Sequence, residues 1–344
     1  MISLQTKYLG LELKNPVVAA SCGLTNNVSN IKKLAGKGIG AIVIKSMFEE
    51  QINIETKNYI KDGEGNVTTF LNAPDNITSK RIYDYNEAYS YIYDYAHNNT
   101  LDKYLSFINE AKNAVDVPII VSINCISDYN WYSFAKKIQD AGADAIELNM
   151  YILPSDFRKT AEENEKIYFE IIRDVRKYVT IPVSIKVGYY FTSLAQSVQK
   201  LSESGIAGMV LFNRPFSTDI DINTIEVIAG KIYSSEQEYS NTLRWVSILS
   251  GKVKCDICAA TGIHSYETVI KMLLAGADTV QIASEFYKSG FEIIPGLLND
   301  ISAWMKKHGY ESLSDFRGKL NQVNIENPAA LERVQFMKHY SGIE

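Results

Sequence analysis

The stretch DAGADAIELN (residues 140–149) gives the first indication of the architecture. Gly142 separates a segment of helical pattern from a short apolar run, and glycine at this point provides the left-handed cap that turns a helix into the next strand. The same arrangement recurs as ESGIAGMVLFN (203–213) and as LAGADTVQIA (274–283). Three helix–glycine–strand units in one chain predict a repeating βα fold.

Eight short apolar runs are spread along the chain, and longer amphipathic segments separate them. The runs are rich in Val, Ile and Ala, which is typical of strands that are buried on both faces of a parallel sheet. They cover residues 16–20, 41–45, 118–123, 145–149, 182–187, 208–213, 255–260 and 278–283. Eight such strands with right-handed helical crossovers predict an α/β protein with a closed (β/α)8 TIM barrel. An open doubly wound sheet is the rival fold, but no G-x-G-x-x-G motif follows the first strand.

Two connections after predicted strands are long. Residues 46–100 follow the second strand and residues 214–252 follow the sixth. Long loops on a barrel are usually functional, because the loops after the strands build the catalytic face. The tyrosine-rich part of the first insertion predicts an amphipathic helix at the rim, with a lid or an oligomer interface as the alternative. We predict one barrel domain over residues 1–310 and a C-terminal tail with a short helix over residues 311–344.

Composition and charge exclude several classes of protein. The net charge of −5 at pH 7 favours neither nucleic acid nor an anionic membrane as a partner. The N-terminus has no apolar signal region and no apolar run is long enough to span a bilayer, so we expect a cytoplasmic protein without membrane contact. Cys255 and Cys258 form a C-x-x-C motif without a second pair of ligands, which predicts buried strand cysteines and no metal site.

Polar residues stand at the C-terminal ends of the predicted strands. A buried lysine or amide is costly without a partner, so a ring of them favours a bound polar ligand over a purely structural network. These residues are Ser21, Lys45, Ser46, Ser122, Asn124, Asn149, Lys186, Asn213, Thr261, Gly262 and Ser284.

The last two predicted strands indicate a phosphate site. Thr261, Gly262 and Ile263 follow the seventh strand, and Ala283 and Ser284 close the eighth. The loops after strands seven and eight are the usual phosphate-binding loops of this fold, where backbone N–H groups meet the anion. A tight turn that merely requires glycine is the alternative.

The chain resembles the dihydroorotate dehydrogenase family from residue 1 to about residue 320. The resemblance is carried by NPVVAAS (15–21), AIVIKS (41–46), DAGADAIELN (140–149) and ATGIHSYETVIKMLLAGADTVQIAS (260–284). The tract from residue 121 to residue 149 is also similar to the flavin barrel of dihydropyrimidine dehydrogenases. The resemblance implies an FMN-dependent oxidoreductase that acts on CH–CH donors in pyrimidine biosynthesis, by hydride transfer between flavin N5 and a small substrate.

The resemblance also implies positions around FMN. Ala20 and Ser21 would line the isoalloxazine ring, and Lys45 and Ser46 would lie beside its reactive edge. A lysine there stabilises the negative charge that develops as the ring accepts hydride. The implied cofactor-binding residues are Ala20, Ser21, Lys45, Ser46, Asn124, Asn149, Lys186, Asn213, Ser240, Thr261, Gly262, Ile263, Ala283 and Ser284.

The stretch after the fourth strand departs from the family's pattern. The family reads Asn-Leu-Ser-Cys-Pro-Asn, with the Cys (or a Ser) as the base, whereas this chain reads NMYILP (149–154) and has Ile152 at that position. Isoleucine cannot accept a proton, so we expect dihydroorotate oxidation to be weak or absent. Tyr151 is the candidate replacement, although an unperturbed pKa near 10 makes it a poor base unless a lysine lowers it. Lys45 and Asn149 are the other candidate catalytic residues.

The amides that bind substrate in the family are only partly present. The family's Asn-Ser-Met-Gly-Leu-Pro-Asn loop is replaced by TFLNAPD (69–75), which keeps Asn72. Asn149 and Asn213 are the remaining candidates for binding a small-molecule substrate.

Two other functions stay open. One is a flavin-free, phosphate-binding lyase or aldolase that uses Lys45 or Lys186 as a Schiff-base or acid–base residue. The other is a flavin-binding subunit that has lost catalysis. A homodimer is expected only by analogy with soluble members of the family.

Overall fold

The computed structural model describes residues 2–48, 101–124, 131–215 and 217–332. Twelve strands lie in this part of the chain, eight of them in one barrel and four in two hairpins. They are β1 (Thr6–Tyr8), β2 (Leu11–Leu13), β3 (Val17–Ala19), β4 (Ala41–Phe48), β5 (Ile119–Asn124), β6 (Ala145–Met150), β7 (Val183–Val187), β8 (Gly208–Leu211), β9 (Thr218–Asp221), β10 (Glu226–Ala229), β11 (Asp256–Ala260) and β12 (Thr279–Ile282).

The barrel is closed and parallel. Each of its strands pairs with the next barrel strand along the chain, from β3 through β8 to β11 and β12, and β12 pairs back with β3. All eight apolar runs predicted as strands form the eight barrel strands, which confirms the predicted (β/α)8 barrel. The register places Asn124 opposite Asn149, and Asn149 opposite Lys186, so polar strand ends become neighbours at one rim.

Helices alternate with the barrel strands and pack their apolar sides around it. In the described part of the chain they are α1 (Val28–Gly36), α2 (Leu101–Ala114), α3 (Trp131–Asp140), α4 (Ala161–Arg176), α5 (Leu194–Ser202), α6 (Tyr239–Leu249), α7 (Tyr266–Ala275), α8 (Ser284–Ser289), α9 (Ile293–Lys307) and α10 (Ala329–Glu332). Helix α4 shows the pattern clearly, because Tyr168, Ile171, Ile172 and Val175 are buried at helical spacing.

Gly276 shows why the repeated unit needs glycine. It caps α7 in the left-handed conformation, with φ of 109°. A Cβ atom at this position would lie 2.0 Å from the Ser250 hydroxyl oxygen, so no other residue fits without a shift. Gly142 and Gly205, in the two related units, also have positive φ angles of 100° and 86°.

A hairpin closes the lower end of the barrel, where the strands begin. It was not predicted from the sequence. Strands β1 and β2 are antiparallel, and their turn residues Leu9 and Gly10 both have positive φ, as a type I′ turn requires. Tyr8 and Leu9 are fully buried in the cluster that fills the barrel interior. The Leu9 N–H donates to the Asp256 carboxylate at the start of β11, at 2.7 Å.

The insertion after β8 contains the second hairpin, β9 and β10. The predicted tyrosine-rich helix and Asn72 lie outside the described residues. In the tail, Leu313 and Phe316 are buried and Gly318 N–H donates to the Leu273 carbonyl of α7. The described part of the tail therefore packs on the barrel, and its separation from the barrel domain at residue 310 stays a prediction.

Two negative findings apply to the described residues. No helix there is long and apolar enough to cross a membrane. No group of three or more His, Cys, Asp or Glu side chains there could hold a metal ion.

Burial raises the pKa of both Cys255 and Cys258 to about 12, so these thiols stay protonated and unreactive at neutral pH.

Asp278 is a buried carboxyl group next to the N-terminal hairpin. It accepts the Ile257 N–H at 2.8 Å and pairs with Arg317 at 2.7 Å. Burial nevertheless raises the pKa of Asp278 to about 6, and the Arg317 guanidinium only partly offsets this effect. The folded protein therefore binds this proton more tightly than the unfolded chain, where the pKa is about 3.9.

This difference predicts a pH-dependent stability. Asp278 contributes about 3 kcal/mol to the free energy of unfolding through this difference in pKa. The contribution is fully present below about pH 4 and is lost as the pH rises through about 6. Asp278→Asn removes the titration, so the free energy of unfolding of the wild type relative to this variant should fall by that amount across this window. Urea unfolding at several pH values measures it, with Asp300→Asn on the exposed side of α9 as the control. Parallel wild-type and Asp278→Asn curves would contradict the prediction.

Candidate active site at the C-terminal rim of the barrel

A cavity of about 580 Å³ lies at the C-terminal ends of β3, β7, β8, β11 and β12. Its volume is in the range of about 300–1,000 Å³ that is typical of ligand sites. Nine residues predicted to bind the cofactor line it. They are Ala20, Ser21, Lys186, Asn213, Thr261, Gly262, Ile263, Ala283 and Ser284.

The charge of this cavity is one-sided. Lys186, Arg214 and Lys231 are among its lining residues, and no described lining residue is Asp or Glu. A concave site with charges of one sign attracts ligands of the opposite charge. Glu238 pairs with Arg214 at 2.8 Å and partly neutralises it, but the charged residues that line the cavity are cations, so the cavity favours an anionic ligand.

Lys186 is held by a buried chain of hydrogen bonds that crosses the barrel interior. Its ammonium donates to Gln281 Oε1 at 2.8 Å, and Gln281 Nε2 donates to Glu147 Oε2 at 2.5 Å. Lys186, Gln281 and Glu147 are 8%, 2% and 1% exposed. Gln281 was not predicted as a site residue, and the signal that could have revealed it is a lone amide inside the apolar run 278–283.

Ser21, Ser46 and Ser122 form a second chain along the rim. The Ser46 backbone N–H donates to the Ser21 hydroxyl at 2.9 Å, and the Ser46 and Ser122 hydroxyls are 2.7 Å apart. The register between β4 and β5 shifts between Ile44 and Met47, which is the signature of a bulge that re-aims the residues it contains. Those residues are Lys45 and Ser46. Ser46 reaches the cavity through Ser21, and half-buried Lys45 lies on the same rim but does not line the cavity.

The two central amides are joined to each other. Asn213, which lines the cavity, donates from Nδ2 to Asn149 Oδ1 at 2.8 Å. Asn149 is thus one hydrogen bond away from the cavity, and Asn124 is its neighbour on β5. Neither Asn124 nor Asn149 is a lining residue.

Tyr151 is in the wrong electrostatic setting for a base. Its pKa is raised to about 12, first by burial and then by the neighbouring Tyr190 and Tyr189 hydroxyls. A general base works best with a pKa near the operating pH, so Tyr151 is a hydrogen-bond donor at neutral pH. Ile152 lies away from the cavity and lines a separate pocket with Tyr168 and Tyr190.

The loop after β11 has an unusual backbone. Thr261 and Gly262 both have positive φ, of 75° and 77°. For a β-branched threonine this conformation costs about 1–3 kcal/mol, and such strain clusters at functional sites. The Thr261 hydroxyl donates to the Phe212 carbonyl at 3.0 Å, and a Cβ at Gly262 would lie 2.3 Å from the Tyr239 nitrogen. The predicted phosphate loop therefore needs glycine at position 262.

Ser240 lies apart from the other predicted phosphate-end residues. It is exposed on α6 and lines a neighbouring pocket rather than the cavity. Ser234, earlier in the same tract, lines the cavity instead, and its N–H donates to the Ser284 hydroxyl at 3.0 Å. Ser234 was not predicted as a site residue from the sequence.

Fold and cavity together define a (β/α)8-barrel protein with an anion-accepting site at the rim. The family model described as dihydroorotate dehydrogenase matches residues 81–305, which is more than half of the chain. This chain belongs to the dihydroorotate dehydrogenase family, as its sequence motifs predicted.

Curated relatives agree with this membership at low identity. The catalytic subunit of dihydroorotate dehydrogenase B (NAD(+)) from Methanocaldococcus jannaschii is 27% identical over 311 residues, covering 88% of this chain and 94% of the relative. The putative dihydroorotate dehydrogenase A (fumarate) from Aeropyrum pernix is 27% identical over 207 residues, covering 59% of this chain and 67% of the relative. The dihydroorotate dehydrogenase (fumarate) from Saccharomyces cerevisiae is 24% identical over 347 residues, covering 93% and 99%.

The buried chain of Lys186, Gln281 and Glu147 predicts a large effect of one substitution. Gln281→Leu leaves an ammonium and a carboxylate buried without the amide that joins them, so the free energy of unfolding should fall by about 3 kcal/mol or more. Urea unfolding measures this loss. Gln199→Leu on the exposed face of α5 is the control and should change stability by less than about 0.5 kcal/mol. Equal effects of the two substitutions would show that the buried chain does not stabilise the barrel.

Proposed function

We propose that this chain is an FMN-dependent oxidoreductase that transfers hydride between the flavin and a small anionic substrate with a CH–CH or C=C group. The observation that carries the proposal is the rim cavity, which is large enough for a ligand and is lined by three cations. FMN supplies a phosphate for one end of such a cavity and, when bound, a ring that accepts hydride at N5.

The residues present fit this cofactor at both ends. At one end, the strained Thr261-Gly262 turn and the Ser284 hydroxyl would receive the phosphate. At the other end, the Lys186 ammonium lines the cavity and donates one of its three hydrogens to Gln281. Lys186 would stabilise negative charge that develops on the pyrimidine side of the ring, and Gln281 with Glu147 would hold it there.

Substrate binding falls to the other rim residues. Arg214 lines the cavity, donates to Glu238 at 2.8 Å and to the Ile232 carbonyl at 2.9 Å, and is a candidate for a substrate carboxylate. We propose that Asn213 contributes its amide to the substrate, that Asn149 holds this amide in place, and that Lys45 adds positive charge on the same rim. Tyr151 would act in this arrangement as a hydrogen-bond donor rather than as a base.

Dihydroorotate is proposed to be a poor substrate. The relatives are named as dihydroorotate dehydrogenases, but the position of the family's base is Ile152 in this chain. Loss of a general base costs about 10²–10⁴-fold in rate. The Methanocaldococcus jannaschii relative is named a catalytic subunit, so we also propose that this chain works with a separate electron-transfer partner. That the chain forms a cytoplasmic homodimer remains a prediction.

Identification of the bound cofactor tests the proposal. Protein purified without added cofactor should be yellow, and the small molecule that it releases on denaturation should have the mass of FMN. Mass spectrometry and the visible spectrum measure this. A colourless protein that FMN cannot reconstitute would refute the proposal and favour the lyase or aldolase that uses Lys45 or Lys186.

The base position predicts a slow half-reaction with dihydroorotate. Under anaerobic conditions, dihydroorotate should reduce the flavin about 10²–10⁴-fold more slowly than it reduces the Saccharomyces cerevisiae relative in the same stopped-flow experiment. Equal rates would mean that another group supplies the base. The oxidative half-reaction is the control. Reduced protein that fumarate, orotate, quinones and oxygen reoxidise no faster than free FMN would favour a non-catalytic flavin subunit.

A further inference from the structure

Three side chains that the flavin assignment leaves unused form a hydrogen-bonded row beside the phosphate loop. Glu285 Oε2 lies 2.7 Å from His264 Nδ1, and His264 Nε2 lies 2.9 Å from the Ser234 hydroxyl. His264 and Ser234 are 8% and 5% exposed. An imidazole that is bonded through both ring nitrogens is fixed in orientation, so the row is a preformed element of the site.

The row is assembled from three separate parts of the chain that meet at one end of the cavity. Ser234 belongs to the insertion after β8, His264 directly follows the phosphate loop, and Glu285 directly follows Ser284. Ser234 also donates its backbone N–H to the Ser284 hydroxyl, and its carbonyl accepts from the Lys288 ammonium at 3.1 Å. Ser234 is the member of the row that lines the cavity.

The polarity of the row suits an anion at that end. A carboxylate is only an acceptor, so the Nδ1 atom of His264 carries the hydrogen that Glu285 receives. When Nε2 also carries a hydrogen, the imidazolium donates to the Ser234 oxygen. The Ser234 hydroxyl hydrogen is then available to the cavity. The Glu285 carboxylate at one end of the row and an anion at the other would both be acceptors for this series of donors.

We propose that Ser234, backed by His264 and Glu285, is a charge-assisted receptor for the phosphate of the cofactor. This inference rests on the proposed function and adds a recognition element beyond the Thr261-Gly262 turn. The same three residue types form nucleophilic triads in hydrolases, but a cavity with three lining cations favours an anionic ligand over a neutral ester. Ser234 would contact the phosphate, and His264 and Glu285 are positioning residues.

A comparison of FMN with riboflavin, which lacks the phosphate, tests this receptor. Apo-protein is titrated with each flavin, and quenching of flavin fluorescence gives Kd. Ser234→Ala and His264→Gln should raise the Kd for FMN about ten- to hundredfold, which is the usual weight of a hydrogen bond to a charged group. The Kd for riboflavin should not change.

Glu285→Gln is the second variant, because it keeps a hydrogen-bonding group of the same size beside the ring. It should weaken FMN binding by a smaller factor than His264→Gln and leave riboflavin unaffected. The matched control is Glu292→Gln, which removes an exposed carboxylate that pairs with Lys37 at the surface. Thermal unfolding of each apo-protein checks that the variants are folded.

The outcomes separate this inference from the proposed function. A wild type that binds neither flavin overturns both. A wild type that binds FMN, with variants that bind FMN as tightly or lose FMN and riboflavin alike, overturns only the receptor. Hydrolysis of p-nitrophenyl acetate by the wild type but not by Ser234→Ala would identify Ser234 as a nucleophile and would also overturn it.

Discussion

The hydrogen-bonded chain from Lys186 through Gln281 to Glu147 is the interaction on which the site depends. Two ionisable groups inside a barrel cost several kcal/mol each to desolvate, and hydrogen bonds must offset that cost. The Gln281 amide accepts from Lys186 and donates to Glu147 Oε2, whereas Glu147 Oε1 is buried without a hydrogen-bond partner among the described residues. The amide thereby fixes a cation below the rim cavity, where a ligand can use its remaining donors.

The two ends of the barrel differ in a way that makes this cation useful. At the lower end, Tyr8 and Leu9 fill the interior, so the buried chain is covered by apolar packing. At the upper end, the strand ends widen into the cavity and present Lys186, Ser21 and Asn213. Because Lys186 is nearly buried, water screens its interaction with a bound anion less than it would at the protein surface. The Thr261-Gly262 turn and the Ser234 row are proposed to bind the other, phosphorylated end of the ligand.

Sequence patterns predicted what repetition and burial determine, and missed what depends on tertiary contact. The eight strands were predictable because runs such as 145–149 are buried on both faces. The N-terminal hairpin was not, because β1 and β2 are three residues each and gain their burial only from the barrel. Ser240 was predicted from the family resemblance, whereas it is Ser234, before α6, that the folded chain brings to the cavity. The raised pKa of Tyr151 follows first from its burial and then from Tyr190 and Tyr189, and all of these depend on tertiary contacts.

We propose that one phosphorylated flavin spans the cavity from Lys186 to the Thr261-Gly262 turn. A crystal structure of the protein purified with its natural ligand tests this arrangement. We expect density for FMN, with the ring beside Lys186 and Ser21 and the phosphate against Thr261, Gly262 and Ser234. Density for a different molecule in the cavity, or FMN bound with its phosphate towards Lys186, would contradict it.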